Sequence, residues 1–360
     1  MKLRSRLVLS GLAAGTLVSC TAPAMSAPPA PQSSVQIGVY YFPGWAPNLT
    51  GAQFADPWAP ISKYLDRIPL IGEYNDGDPA VMRKQLDEMN EGKISFVAFD
   101  SYSTNDGTDR TPQATLAYMK VAKANDPKFT LLWANHDRQP HAMQDWDATV
   151  TTWVSDYMTD PRFLRVNNLP VLFVYSPDNL EKQAETFGAT APQLLARAQN
   201  IAHHYGLPGI AFVGGHGPQP GFIAGKAAAQ GYVALSDYNM GTVGYPMAGM
   251  GFKRRDAVYR QYWYRYKRDA TLPAILPISA GWDRTPWGGS QEDGAMPTPD
   301  EFRVHVTAAI TNLKGGTDPF SRMGVICCWN EFGEGSILEP TAKYGDAYLK
   351  VLGDLLSKTP

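Results

Sequence analysis

Cysteine is scarce: three residues in 360, with Cys20 near the N-terminus and Cys327-Cys328 adjacent to one another. Neighbours in sequence rarely satisfy disulfide geometry, so neither a disulfide scaffold nor a cysteine zinc site is implied, and the pair reads as two small buried residues of a strand. The six histidines are scattered without metal-ligand spacing, and neither a metal nor a cofactor is expected. The formal net charge is -2 and no extended basic run follows the N-terminus, which removes the electrostatic footprint of a nucleic-acid partner. The apolar stretch Leu7 to Val18 is shorter than the roughly 20 residues that cross a bilayer. No glycine-rich phosphate turn follows the first β-like run. Tyr41-Phe42-Pro43-Gly44-Trp45 stands there instead, so a dinucleotide site of the doubly wound kind is excluded.

What is present begins with an export signal. Lys2, Arg4 and Arg6 precede the apolar stretch, and Leu17-Val18-Ser19-Cys20 resembles a lipoprotein box, giving a signal peptide over 1–20 with Cys20 as the lipidated residue. Cleavage after Ala24 or Ala27 would instead discard Cys20 and release a soluble secreted protein. The expectation is an exported chain that meets a membrane only through a possible lipid anchor. Residues 21–34 form a Pro/Ala/Ser-rich linker, and 35–360 one catalytic domain.

Within that domain, short β-rich apolar runs alternate eight times with helical patterns. The strands are expected at Val35 to Tyr41, Ile94 to Asp100, Phe129 to Asn135, Pro170 to Ser176, Ile210 to Gly214, Tyr232 to Asp237, Ala274 to Ala280 and Val325 to Trp329, and a helix over Asp346 to Leu356 ends the series. Continuous apolar strands interleaved with helices mark the α/β class, and eight units a single-domain (β/α)₈ TIM barrel.

Barrel sites lie at the C-terminal ends of the strands. The residues expected there are Tyr40, Tyr41, Trp45, Asp100, Tyr102, Trp133, Asn135, His136, Tyr175, His216, Asp237, Tyr238, Trp282, Asp283, Arg284, Asn330, Glu331 and Glu334. Aromatics interleaved with hydrogen-bonding groups suit a sugar, whose C–H faces lie on rings while its hydroxyls need polar partners. From this set Tyr41, Trp45, Asp100, Trp133, Asn135, His136, His216, Tyr238, Trp282, Asp283, Arg284 and Asn330 are the substrate-binding candidates. Glycosidic cleavage needs two carboxyl groups, and Glu331 and Glu334 in Trp329-Asn330-Glu331-Phe332-Gly333-Glu334-Gly335 are the pair. The bland alternative is a helix cap or an ion pair with Arg284. Glu339 is given a supporting role.

The segment Trp329 to Gly335, continuing through Leu338-Glu339-Pro340 and Tyr344-Gly345-Asp346-Ala347-Tyr348-Leu349, resembles the end of family 99 glycoside hydrolases and their relatives in polysaccharide gene clusters. Tyr40 to Trp45, Pro69 to Tyr74, Trp133-Ala134-Asn135, Asp160 to Phe163 with Pro170 to Tyr175, and Gly281 to Trp287 agree in order. The resemblance implies a (β/α)₈ barrel and retaining hydrolysis of α-mannosides or similar glycans. It makes Glu331 the base on the sugar's 2-hydroxyl, closing a 1,2-anhydro sugar, and Glu334 the general acid and base. His136 stands where such relatives often carry Glu. Two other functions stay open: glycosyl transfer, and carbohydrate binding without catalysis. The expected partner is a polysaccharide or glycan.

Overall fold

The computed structural model describes residues 34–49, 55–137, 140–215, 217–239, 251–289 and 293–359. The expected signal peptide with Cys20, nearly all of the expected linker and the candidate His216 lie outside these residues. Residues 33–360 form one compact unit.

Eight parallel strands make the barrel: β1 Gln36–Tyr41, β2 Phe96–Ser101, β3 Lys128–Trp133, β4 Leu169–Val174, β5 Ala211–Gly215, β6 Ala234–Ser236, β7 Leu276–Ser279 and β8 Met323–Cys327. Each pairs with its sequence neighbour, and β1 also pairs with β8, in the register Gly38↔Phe96 and Gly38↔Val325. Between β6 and β7 the ring closes through one bridge, Leu235↔Ala274, with Ile275 N–H donating to the Leu235 carbonyl at 2.8 Å.

Alternation along the strands splits their side chains into two layers. Tyr40, Phe96, Ala98, Phe173, Val213 and Val325 belong to a cluster built almost wholly from strand residues, which fills the barrel. Val39, Tyr41, Val97, Phe99, Leu131 and Trp133 belong to the larger cluster shared with the helices.

The helices are α1 Pro79–Glu91, α2 Gln113–Val121, α3 Met143–Thr152, α4 Pro177–Thr186, α5 Ala191–His204, α6 Ala227–Gln230, α7 Gly251–Asp269, α8 Pro299–Lys314 and α9 Ala347–Ser357. Their starts are written locally. Thr298 and Glu301 form a capping box with Pro299 in the first turn of α8, and Thr190 with Gln193 does the same for α5. Helix α4 was not expected, yet Ser176-Pro177 is a cap signal: Ser176 Oγ accepts from Asn179 N–H at 3.2 Å.

Two features differ from expectation beyond β8. Asn330–Glu331 (β9) turns back on Ser336–Ile337 (β10) as a short antiparallel hairpin. Cys327 and Cys328, expected as free thiols, are joined as a disulfide across a cis peptide, both buried in the barrel layer. The long connection from β1 to α1 makes a small core of its own, where Trp45, Trp58, Ile61 and Tyr74 pack with Phe332 and Ile337 of the hairpin segment. That core fastens the hairpin over the C-terminal end of the barrel.

Candidate active site

The hairpin holds both acids. Glu331 ends β9 opposite Ser336 and is 4% exposed, while Glu334 sits in the turn with its N–H donating to the Glu331 carbonyl at 3.2 Å. Asp283 N–H donates to the Glu334 carbonyl at 2.6 Å, tying the turn to the loop after β7. Glycine is required twice here. A Cβ on Gly333 would lie 2.0 Å from the Trp287 ring, and Gly335 has φ +65 with a Cβ position 2.9 Å from Asp283 N.

Tyr238, just after β6, reaches across the barrel mouth. Its hydroxyl lies 3.1 Å from Asp100 Oδ2 and 3.1 Å from Glu331 Oε1. The other oxygens of these two carboxyls, Asp100 Oδ1 and Glu331 Oε2, are buried without a hydrogen-bond partner. An aromatic belt continues from there: Tyr40 to Tyr238 at 5.0 Å between ring centres, Tyr238 to Tyr175 at 5.9 Å, Tyr175 to His136 at 5.6 Å and His136 to Tyr102 at 5.5 Å. Arg284 approaches from the rim, its Nε 3.9 Å from Glu334 Oε1.

Burial controls the protonation of this cluster. It pushes Glu331 well above the usual carboxyl range, and the nearby charges of Glu334 and Asp100 push the same way. Glu334 rises to about 7 through burial, held back by Arg284 and Arg255. Burial likewise raises Asp100 well above its ordinary value, opposed by the Tyr238 hydrogen bond, and carries Asp237 to about 6. Tyr175 rises to about 12, burial first and the charges of Asp237, Glu334, Asp100 and Glu331 after it. The His136 imidazole is pushed below its ordinary value, first by desolvation of its ring and then by the charge of Arg110.

Of the sequence-derived candidates, Asp100, His136, Tyr238, Arg284, Glu331 and Glu334 gather here. Several others stand elsewhere. Tyr41 and Trp133 point away from the barrel axis into the helix layer: Tyr41 donates to Gln85 at 3.0 Å, and the Trp133 ring packs 5.5 Å from Trp146 and 5.3 Å from Trp153. The cause is strand parity, since both occupy outward positions. Trp45 is buried against Trp58 and donates through Nε1 to the Asn330 carbonyl at 3.0 Å, so it is a core residue of the first loop.

Asn135 and Asn330 are peptide clamps. The Asn135 amide exchanges two hydrogen bonds with the Ser176 peptide group, both 2.8 Å. Asn330 does the same with Phe42 and also donates to the Tyr74 hydroxyl. Asp283 is held by Arg67 at 2.9 Å and by Thr285, and these contacts overcome burial to keep its carboxyl below the usual range. Trp282 is buried beneath the Arg255 guanidinium, 5.6 Å from its ring centre. These side chains build the site's frame and leave little face for a sugar.

Tyr40, Tyr102 and Tyr175 are strand-end residues outside the substrate-binding candidates, and inward strand parity places Tyr40 in the barrel layer. Arg255 is not among the residues that the sequence marks. It lies fully buried on α7, donates to Ser279 at 2.6 Å and to Asn239, and lowers Glu334. No local motif marks it. Glu339 is buried beneath the hairpin, accepting from the Tyr74 hydroxyl at 2.8 Å and Gln85 Nε2 at 2.9 Å.

The family described as Glycosyltransferase WbsX matches residues 63–352, and the chain belongs to it. Two Xanthomonas campestris pv. campestris proteins, both called "Uncharacterized protein WxcX", are similar in sequence: 30% identity over 319 residues in strain B100 and 29% over 318 in strain ATCC 33913. Each comparison covers 82% of this chain and 44% of the relative, so the chain spans less than half the length of these curated relatives. In three dimensions the chain is similar to a GH99 endo-alpha-mannosidase from Bacteroides thetaiotaomicron, with TM-score 0.61, 16% identity, and 90% of this chain and 97% of that chain covered. A glycoside hydrolase-like protein gives TM-score 0.68 at 15% identity, covering 92% and 97%. At such identities the likeness is one of fold.

Proposed function

We propose that this member of the WbsX family is an exported glycosidase that cleaves α-linked glycans of the α-mannoside type with retention of configuration. The observation that carries the reading is the Glu331–Glu334 hairpin, a buried and a half-buried carboxyl that influence one another at the C-terminal face of a barrel, beside a belt of tyrosines. Burial that lifts Glu334 to about 7 suits a group that must hold a proton near neutrality and later give it up.

In the proposed reaction the Glu331 carboxylate takes the proton of the sugar's 2-hydroxyl while O2 bonds to C1. The C1 bond to the leaving oxygen breaks, and that oxygen receives the proton of Glu334. Water then loses a proton to the Glu334 carboxylate as its oxygen bonds to C1, and the C1–O2 bond opens with O2 recovering its proton from Glu331. This requires a 2-hydroxyl trans to the leaving group, as in α-mannosides.

The family's description supports a second reading, transfer, in which an acceptor hydroxyl replaces water at Glu334. The leader with Cys20 supports export, either as a lipoprotein or, if cleavage falls after Ala24 or Ala27, as a soluble protein.

The test is incubation of the signal-free protein and its Glu334→Gln variant with α-mannans, α-glucans and bacterial polysaccharides, with mass spectrometry of the released sugars. Release by the wild type alone supports hydrolysis. Lengthened chains in place of released ones support transfer, and binding without either product rejects both.

A further inference from the structure

We propose that Asp100 is a positioning residue that carries a proton in the working site, donating it to the Tyr238 hydroxyl so that Tyr238 donates its single hydrogen to Glu331. The inference rests on the reading of Glu331 as the base and extends it to a third carboxyl.

The geometry poses a counting problem. The Tyr238 oxygen is 3.1 Å from Asp100 Oδ2 and 3.1 Å from Glu331 Oε1, and a phenol has one hydrogen. If both carboxyls were ionised, one contact would set lone pairs against lone pairs at hydrogen-bond distance in a buried site. A proton on Asp100 resolves this. The chain Asp100 Oδ2–H to Tyr238 Oη–H to Glu331 Oε1 uses every donor once and leaves Glu331 Oε2, buried and without a hydrogen-bond partner among the described residues, outside the chain.

The surroundings select which acid is protonated. Asp100, next to last in β2, has Tyr238, Glu331, Glu334 and Asp109 as acidic and phenolic neighbours, and its charge also reaches Tyr102, Tyr40 and Tyr175. No Lys or Arg ion pair of Asp100 occurs among the described residues. The nearby cations act on the other two acids: Arg284 on Glu331 and Glu334, and Arg255 on Glu334. Burial pushes the Asp100 carboxyl up, in agreement. A neutral Asp100 also removes a negative charge from beside Glu331 and turns a repulsive neighbour into the first donor of a chain, which opposes the burial that raises the Glu331 carboxyl.

The proton is read directly by infrared spectroscopy of protein carrying ¹³C-carboxyl aspartate. The expected result is a protonated-acid carbonyl band at neutral pH that disappears in Asp100→Asn and changes frequency in Tyr238→Phe. Absence of that band overturns the proposal whether or not any glycan is cleaved. Its presence in a protein that cleaves nothing keeps the proton on Asp100 and removes instead the reading of Glu331 as base. On a cleaved substrate, Asp100→Asn should stay within about tenfold of wild-type turnover, because its amide N–H replaces the acid O–H toward Tyr238, while Asp100→Ala loses about a hundredfold. Equal loss in both variants overturns the donor role.

Discussion

The side-chain amide of Asn330 pairs with the peptide group of Phe42: Oδ1 accepts from the Phe42 N–H at 2.9 Å, and Nδ2 donates to the Phe42 carbonyl at 3.1 Å. This clamp, made by the fully buried Asn330 side chain, joins the loop after β1 to the residue directly before Glu331, so the position of the acid depends on a contact spanning most of the chain.

Asn330→Ala should therefore act through the fold. It strands the Phe42 N–H and carbonyl and removes a partner of Tyr74, at a cost of about 2–5 kcal/mol. Urea denaturation should show a lowered midpoint together with lost turnover. An unchanged midpoint with weakened glycan binding would return Asn330 to the list of sugar contacts.

Arg284 tunes Glu334. Glu334→Gln should lower turnover by about 10²–10⁴, the usual contribution of a general acid. Arg284→Gln should be gentler and should move the pH profile: with that cation gone, the carboxyl rises above about 7, so the alkaline limb of kcat/KM, where the acid loses its proton, shifts to higher pH. A shift to lower pH would contradict the arrangement.

Trp133 and Tyr175 occupy neighbouring strand ends and should separate cleanly. Trp133→Ala empties a site walled by Trp146 and Trp153 and should cost about 3–5 kcal/mol of stability. Tyr175 is 38% exposed in the aromatic belt, so Tyr175→Ala should leave the melting temperature nearly unchanged and raise KM. Calorimetry and steady-state kinetics on both variants distinguish the two roles.

Glu339 predicts a stability that falls as pH rises. Burial lifts its carboxyl from 4.5 to about 8, so the folded protein holds a proton that the unfolded chain releases. Stability is unaffected below about pH 4.5 and declines between there and about 8, by on the order of 3 kcal/mol at pH 7. Glu339→Gln keeps a neutral group toward Tyr74 and Gln85, and should flatten this part of the curve when denaturation midpoints are compared from pH 5 to 9. Parallel curves for the two proteins would place the proton elsewhere.

The eight strands, most of their helices and the Glu331–Glu334 pair were legible in the chain because their causes are local. Apolar runs of strand length, helix caps such as Thr298-Pro299-Asp300-Glu301, and two acids three residues apart around glycines all act over a few positions. The (β/α)₈ ring follows from repeating that unit eight times.

The side on which a strand-end residue falls was decided by tertiary structure. The sequence order Tyr40-Tyr41 names two chemically identical side chains, yet parity and the tilt of β1 turn one into the barrel and the other under the helices. The hydrogen bonds of Asn135 and Asn330 likewise depend on peptides 41 and 288 residues away. The three acids became one cluster only when β2, β6 and the final hairpin met at the same mouth, where Tyr238, legible in the sequence as a strand-end residue, has its hydroxyl placed between Asp100 and Glu331 by the tertiary structure alone.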